Sequence, residues 1–183
     1  MLLIDRPATE KIKLFLALSR TPHGVLDMAT PAFAALICLG AFPSIWVTFV
    51  GILAIFSGYT AVYALNDVVG YRTDKEKLEA GALNSKGIGG DLDAKMTRHP
   101  MAQGLLGYGE GVAWAFGWAI VALICAYALN PVCLVIFFAG CIFETIYCLL
   151  WRVSPYRAVV NGVVKTLGAM AAVFAVDPAP NPL

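Results

Sequence analysis

Asn66, Asp67 and Asp74 close a run of apolar residues that begins at Ile45, in the order Asn66-Asp67-Val68-Val69-Gly70-Tyr71-Arg72-Thr73-Asp74. Carboxylate and amide groups at the mouth of a membrane span are costly unless they are solvated, paired or bound to an ion. On a continuing helix Asp67 and Asp74 lie seven positions apart and share one face, with Asn66, Gly70 and Asp74 on the adjacent stripe. Oxygen ligands on one face at a membrane surface suit Mg²⁺, which takes a few carboxylates together with phosphate oxygens. The same residues also read as an ordinary polar helix end. Asp91 and Asp93 form a second acidic pair, either a solvated loop or a further ligand if that loop folds over the first group. Glu144 and Lys165 are charges inside apolar stretches, each ~10 Å from the end of its span at 1.5 Å per residue. A lone charge at that depth costs at least a few kcal/mol. They are expected to face one another as an ion pair that holds two antiparallel spans together, or to share a polar cavity.

The elements that must position these groups are membrane helices. Of the 183 residues, 60% are hydrophobic and 14% are charged, and long uncharged apolar stretches mean spans of ~20 residues. Five are expected, at about 24–42, 44–65, 111–129, 131–151 and 158–176, in a single transmembrane domain covering 1–183. Pro43 and Asn130-Pro131 mark tight turns between antiparallel neighbours. Thr9 to Arg20 places Ile12, Leu14, Phe15, Leu16 and Leu18 among Lys11, Lys13 and Arg20, the pattern of a short amphipathic helix in the membrane interface. The long connection 68–110 carries most of the polar residues, and a loop of that length is uncommon unless functional. The fold class is therefore all-α, a polytopic bundle of about five transmembrane helices plus an N-terminal interfacial helix. Met1 to Ile4 is too short for the apolar core of a signal peptide.

Charge sets orientation and excludes partners. Four Lys/Arg precede the first span, six lie between the second and third, and two between the fourth and fifth, so twelve of the thirteen fall on one side. The positive-inside rule then places the N-terminus inside and the C-terminus outside, in a cytoplasmic (inner) membrane. A net charge of +1 argues against nucleic acid, which needs a basic surface. Cys38, Cys125, Cys133, Cys141 and Cys148 lie in apolar stretches without a CxxC pair and read as buried small hydrophobes. The small residues Gly162, Gly168, Ala169, Ala171 and Ala172 of the fifth span permit close helix packing, on a candidate face for a partner chain.

The segment from Asn66 to Asp74 resembles the first aspartate-rich motif of the UbiA prenyltransferase superfamily, N-D-x-x-D-x-x-x-D, with Gly70 where the central aspartate is expected. Arg98-His99-Pro100-Met101-Ala102-Gln103-Gly104 resembles that family's Arg-Pro-x-x-x-Gly stretch. Arg20-Thr21-Pro22-His23 resembles the Arg/Pro start of its first helix, and Tyr147 with Arg152 is similar to a Tyr-x-x-x-Lys element after its fourth. The resemblance covers about Arg20 to Met170. It implies Mg-dependent transfer of an isoprenyl group from a prenyl diphosphate to a lipophilic acceptor in the lipid bilayer. Asn66, Asp67 and Asp74 would be the metal ligands, and Arg72, Lys75, Arg98, Tyr147 and Arg152 would contact the diphosphate. Without a carboxylate at Gly70, Asp67 and Asp74 stand ~10 Å apart along the helix, and each is expected to hold its own ion. The family has about nine helices and a second aspartate motif beyond the fifth, which implies a protein partner that completes the helical ring. The alternative is a non-catalytic membrane subunit that keeps the scaffold and binds a lipid, quinone or pigment. A small transporter fits less well, because no span carries paired Gly/Pro breaks.

Overall fold

Pro31 has no N–H to give the carbonyl of Asp27, four residues earlier, and that deficit shapes the start of the bundle. The computed structural model describes residues 7–81, 96–150 and 155–180. In it the first apolar stretch is two helices, α2 (Thr21–Asp27) and α3 (Ala29–Leu39), with the break at Met28. Before them lies α1 (Ala8–Leu18), and after them α4 (Ile45–Glu79), α5 (Tyr108–Leu129), α6 (Pro131–Leu149) and α7 (Arg157–Val176). Among the described residues five segments are long and apolar enough to cross a membrane: Thr21–Leu39, α4, α5, α6 and α7. The chain is an all-α membrane protein.

With 35 residues, α4 is ~50 Å long at 1.5 Å per residue, well beyond the ~30 Å of a hydrocarbon core. Ser44 caps its start by accepting from the Val47 N–H at 3.3 Å. The helix passes without interruption through Asn66 and Asp67 to Glu79, so the polar motif rides on an extension of a spanning helix. Around it, α5 packs along α4, α6 joins α5 to α7, and α3 leans on α7. Asn130 secures the α5–α6 turn: its side chain accepts from the Val132 N–H at 2.9 Å and donates to the Phe174 carbonyl of α7 at 3.0 Å.

The amphipathic α1 lies against the polar end of this bundle. Its Leu14 and Leu18 join Ala64 and Val68 of α4, Ala115 of α5, and Met101 and Leu106 of the α4–α5 connection in one buried cluster. Phe15 stacks on Trp114 with ring centres 4.6 Å apart, Trp114 Nε1 donates to Ser19 Oγ at 2.8 Å, and Lys11 meets Glu110 at 3.0 Å. Trp114 thus bonds within the protein.

Candidate functional site

The α4–α5 connection folds back over the mouth of α4. Met101 and Leu106 are each 2% exposed and anchor a tight turn in which the N–H groups of Leu105 and Leu106 reach the Pro100 carbonyl. His99, immediately before Pro100, adopts the left-handed conformation (φ 50°). Non-glycine residues rarely do so, because the Cβ crowds the backbone. Burial of Met101 and a bond from the Gln103 N–H to the His99 carbonyl at 3.1 Å hold it there. The turn delivers the imidazole onto the polar face of α4.

There Asp67 and Asp74 converge. One carboxylate oxygen of each and a His99 nitrogen all lie within 4.8 Å of one another. His99 Nδ1 is 3.3 Å from Asp67 Oδ1 and 3.1 Å from Asp74 Oδ2. Asp67 also faces Arg20 at 3.5 Å, and Asp74 faces Lys77 at 3.5 Å. The two aspartates can therefore meet around one small cation, against the expectation of separate ions. The helical rise separates their backbones, but both side chains lean into the gap between them and His99 closes it. Burial of the imidazole opposes its charge, yet the two carboxylates beside it outweigh burial and lift the His99 pKa to about 9.

The other expected site residues are dispersed. Asn66 Nδ2 donates to Glu144 Oε1 on α6 at 3.3 Å, so its amide engages a neighbouring helix. Arg72 and Lys75 point outward from α4 and are exposed. Arg98 lines a small cleft together with Arg20, Asp67 and His99. Tyr147 lies under the Arg157 guanidinium, 5.5 Å from ring centre to carbon. Arg152, Asp91 and Asp93 lie outside the described residues. Sequence reasoning missed Arg20 and His99 as site members. The available signals were a histidine directly before a proline in the polar connection, and an arginine at the start of α2 on the same side as the motif.

Within the bundle the expected Glu144–Lys165 pair is replaced by another arrangement. Lys165 Nζ pairs with Asp27, to which Tyr63 also donates its hydroxyl. The same ammonium lies 5.5 Å from the Tyr59 ring and 5.9 Å from the Tyr63 ring. Helix α3 leans on α7 and α2 on α4, so Asp27, at the break between α2 and α3, reaches Lys165. Glu144 is met by Asn66 instead.

Below these polar groups an apolar cavity of ≈ 290 Å³ opens among α3, α4, α5, α6 and α7. Along α4 its lining runs from Val47 to Val62, and along α7 from Val164 to Val176. Val62 precedes Asp67 by five residues, about 7 Å along the helix, so the cavity ends just short of the carboxylates.

The family model described as "UbiA prenyltransferase family" matches residues 28–183. None of the curated proteins matches the sequence. Two solved structures of a UbiA homologue from Archaeoglobus fulgidus share the fold. The one bound to DMAPP and Mg²⁺ has a TM-score of 0.69 at 16% identity, covering 93% of this chain and 56% of the homologue. The one bound to GPP and Mg²⁺ has a TM-score of 0.68 at 16% identity, covering 92% of this chain and 56% of the homologue. The chain thus spans just over half the length of the structures it matches.

Proposed function

Because the chain belongs to the UbiA prenyltransferase family, we propose that it binds a prenyl diphosphate in the membrane and takes part in Mg-dependent transfer of the isoprenyl group to a lipophilic acceptor. The observation that carries this reading is the convergence of Asp67 and Asp74, ringed by Arg20, His99 and Lys77, at the upper end of an apolar cavity. The pattern fits an amphiphile with an anionic head and a hydrocarbon tail. The Archaeoglobus homologue bound to DMAPP or GPP with Mg²⁺ supports the choice of ligand. The oxygens of Asp67 and Asp74 suit a divalent ion by type and proximity. A divalent ion held there would offset the charge that grows on the diphosphate as the allylic C–O bond breaks. Arg20 and Arg98 add positive charge beside the head group, with Arg72, Lys75, Tyr147 and Arg152 as the further diphosphate contacts that the family resemblance implies. The apolar walls of the cavity, Tyr59 among them, suit the tail. Asn66 completes the proposed ligand set through its amide oxygen. The site faces the cytoplasm, with the N-terminus on that side of the inner membrane and the C-terminus outside. A protein partner completes the helical ring.

The test is binding of geranyl diphosphate to the purified chain in nanodiscs, with and without Mg²⁺. Saturable binding that requires Mg²⁺ and is lost in Asp67→Asn and Asp74→Asn supports the reading. Binding that ignores both the ion and the aspartates overturns it. Gly70, in place of a third carboxylate, favours a second outcome, ligand binding without turnover, which would mark a scaffold that retains the substrate site as a membrane subunit.

A further inference from the structure

The two aspartates share their gap with a nitrogen. From the placement of His99 we infer that its imidazole is a third ligand of the metal site, so that the site binds a first-row transition ion such as Mn²⁺ more tightly than Mg²⁺. This inference rests on the reading of Asp67 and Asp74 as ligands and adds to it one residue and a metal preference.

Ligand atoms at 2.0–2.1 Å on adjacent corners of an octahedron are ~3.0 Å apart. The distances of 3.3 Å and 3.1 Å from His99 Nδ1 to the two carboxylates are close to such edges, and with all three ligand atoms within 4.8 Å of one another a small cation would draw the two carboxylates together. Among the described residues Nδ1 is buried and meets no acceptor at a hydrogen-bonding angle. It lies within 3.3 Å of an oxygen of each aspartate, within reach of an ion bound by both. A histidine serving only as a salt-bridge partner gains most from a straight N–H···O bond to one carboxylate. The Met101 and Leu106 anchor fixes the imidazole in place before any ion arrives, the pre-organisation that a ligand requires. The preference follows from donor type: first-row transition ions accept an imidazole nitrogen, Mn²⁺ the least strongly of the series, whereas Mg²⁺ favours an all-oxygen shell. At Gly70, where the family motif has a third carboxylate, this chain has no side chain, and a nitrogen donor from the connection takes up the third position.

The experiment loads tag-free protein in nanodiscs with Mn²⁺ and reads nitrogen coupling to the ion by pulsed electron paramagnetic resonance, in natural-abundance and ¹⁵N-histidine-labelled protein. Competition with Mg²⁺ gives the relative affinities. The expected result is a histidine coupling that changes isotope with the label and is absent in His99→Gln. That variant should bind Mn²⁺ at least tenfold more weakly, since even outer-shell partners of metal ligands are worth 10–100-fold, while its Mg²⁺ affinity changes much less. The isotope comparison uses the unaltered chain, so it stands even where the variant folds poorly. Mn²⁺ bound without histidine coupling, but lost in Asp67→Asn, overturns the inference and leaves the proposed function standing. Divalent-ion binding that is indifferent to Asp67 and Asp74 overturns both.

Discussion

Replacing Lys165 with Met removes the cation facing Asp27 while keeping a long side chain to fill its space. In the native chain Asp27 is held by Lys165 and by the Tyr63 hydroxyl, and the ammonium also faces the Tyr59 and Tyr63 rings. Removing one partner of a fully buried pair costs about 3–5 kcal/mol, because the other charge is left uncompensated. Here the side chains are 38% and 23% exposed and Tyr63 still donates to Asp27, so about half of that, ~2 kcal/mol, is expected. For a chain of this size each kcal/mol moves the melting point by about 2–4 °C, so Lys165→Met should melt about 4–8 °C lower. Adding Asp27→Asn removes the stranded charge but keeps an acceptor for Tyr63, and the double variant should recover most of the loss. The assay is thermal unfolding in detergent, followed by a thiol-reactive dye at the buried cysteines. A single variant that melts within a degree of wild type, or a double variant less stable than the single, would refute the reasoning, since either result means that the pair contributes no coupling.

Met101→Ala should destabilise the chain by about 2–4 kcal/mol, the cost of a cavity where a large core side chain stood, and should weaken divalent-ion binding with it, because Met101 holds the turn that presents His99; calorimetric titration of the two properties checks whether they move together. In metal-free protein, stability should fall as pH rises: His99 has a folded pKa of about 9 against ~6.5 unfolded, so its contribution is fully present below ~6.5 and is lost as pH passes through about 9. That loss is of order 1–3 kcal/mol, and melting in EDTA from pH 6 to 10 should show a slope that flattens in His99→Gln. Gly70→Asp adds a carboxylate whose Cβ would lie 3.1 Å from Asp74 Oδ2. It should lower the melting point of the metal-free chain through like-charge repulsion and tighten Mg²⁺ binding roughly tenfold, about 1.4 kcal/mol; unchanged affinity would place position 70 outside the ion's reach. Ala35→Phe narrows the apolar cavity and should weaken binding of geranyl diphosphate more than that of the shorter dimethylallyl diphosphate, as read by competition in nanodiscs; equal losses would argue against a tail in that cavity.

Hydropathy determined the five membrane helices, because a bilayer allows few structures and a run of ~20 apolar residues signals one of them. The motif at the end of α4 was legible for the same reason: Asn66 and Asp67 interrupt an apolar run, and a period of seven puts Asp67 and Asp74 on one face whatever surrounds them. Helix periodicity carries no information about which charges on different helices meet. Depth alone paired Glu144 with Lys165, whereas the leaning of α3 on α7 and the break at Met28 bring Asp27 to Lys165 and leave Glu144 to Asn66. His99 is farther from legibility still, because no local periodicity governs a connection. Its place between two aspartates is decided by a buried methionine two residues on and by a left-handed turn, both of which depend on the packing of α1, α4 and α5 around them. The sequence alone settled the membrane-spanning stretches and the shared face of Asp67 and Asp74, because these follow from local spacing and the solvent around them. Only the tertiary structure decided the partners of each charge, because those depend on how rigid helices lean on one another across dozens of residues.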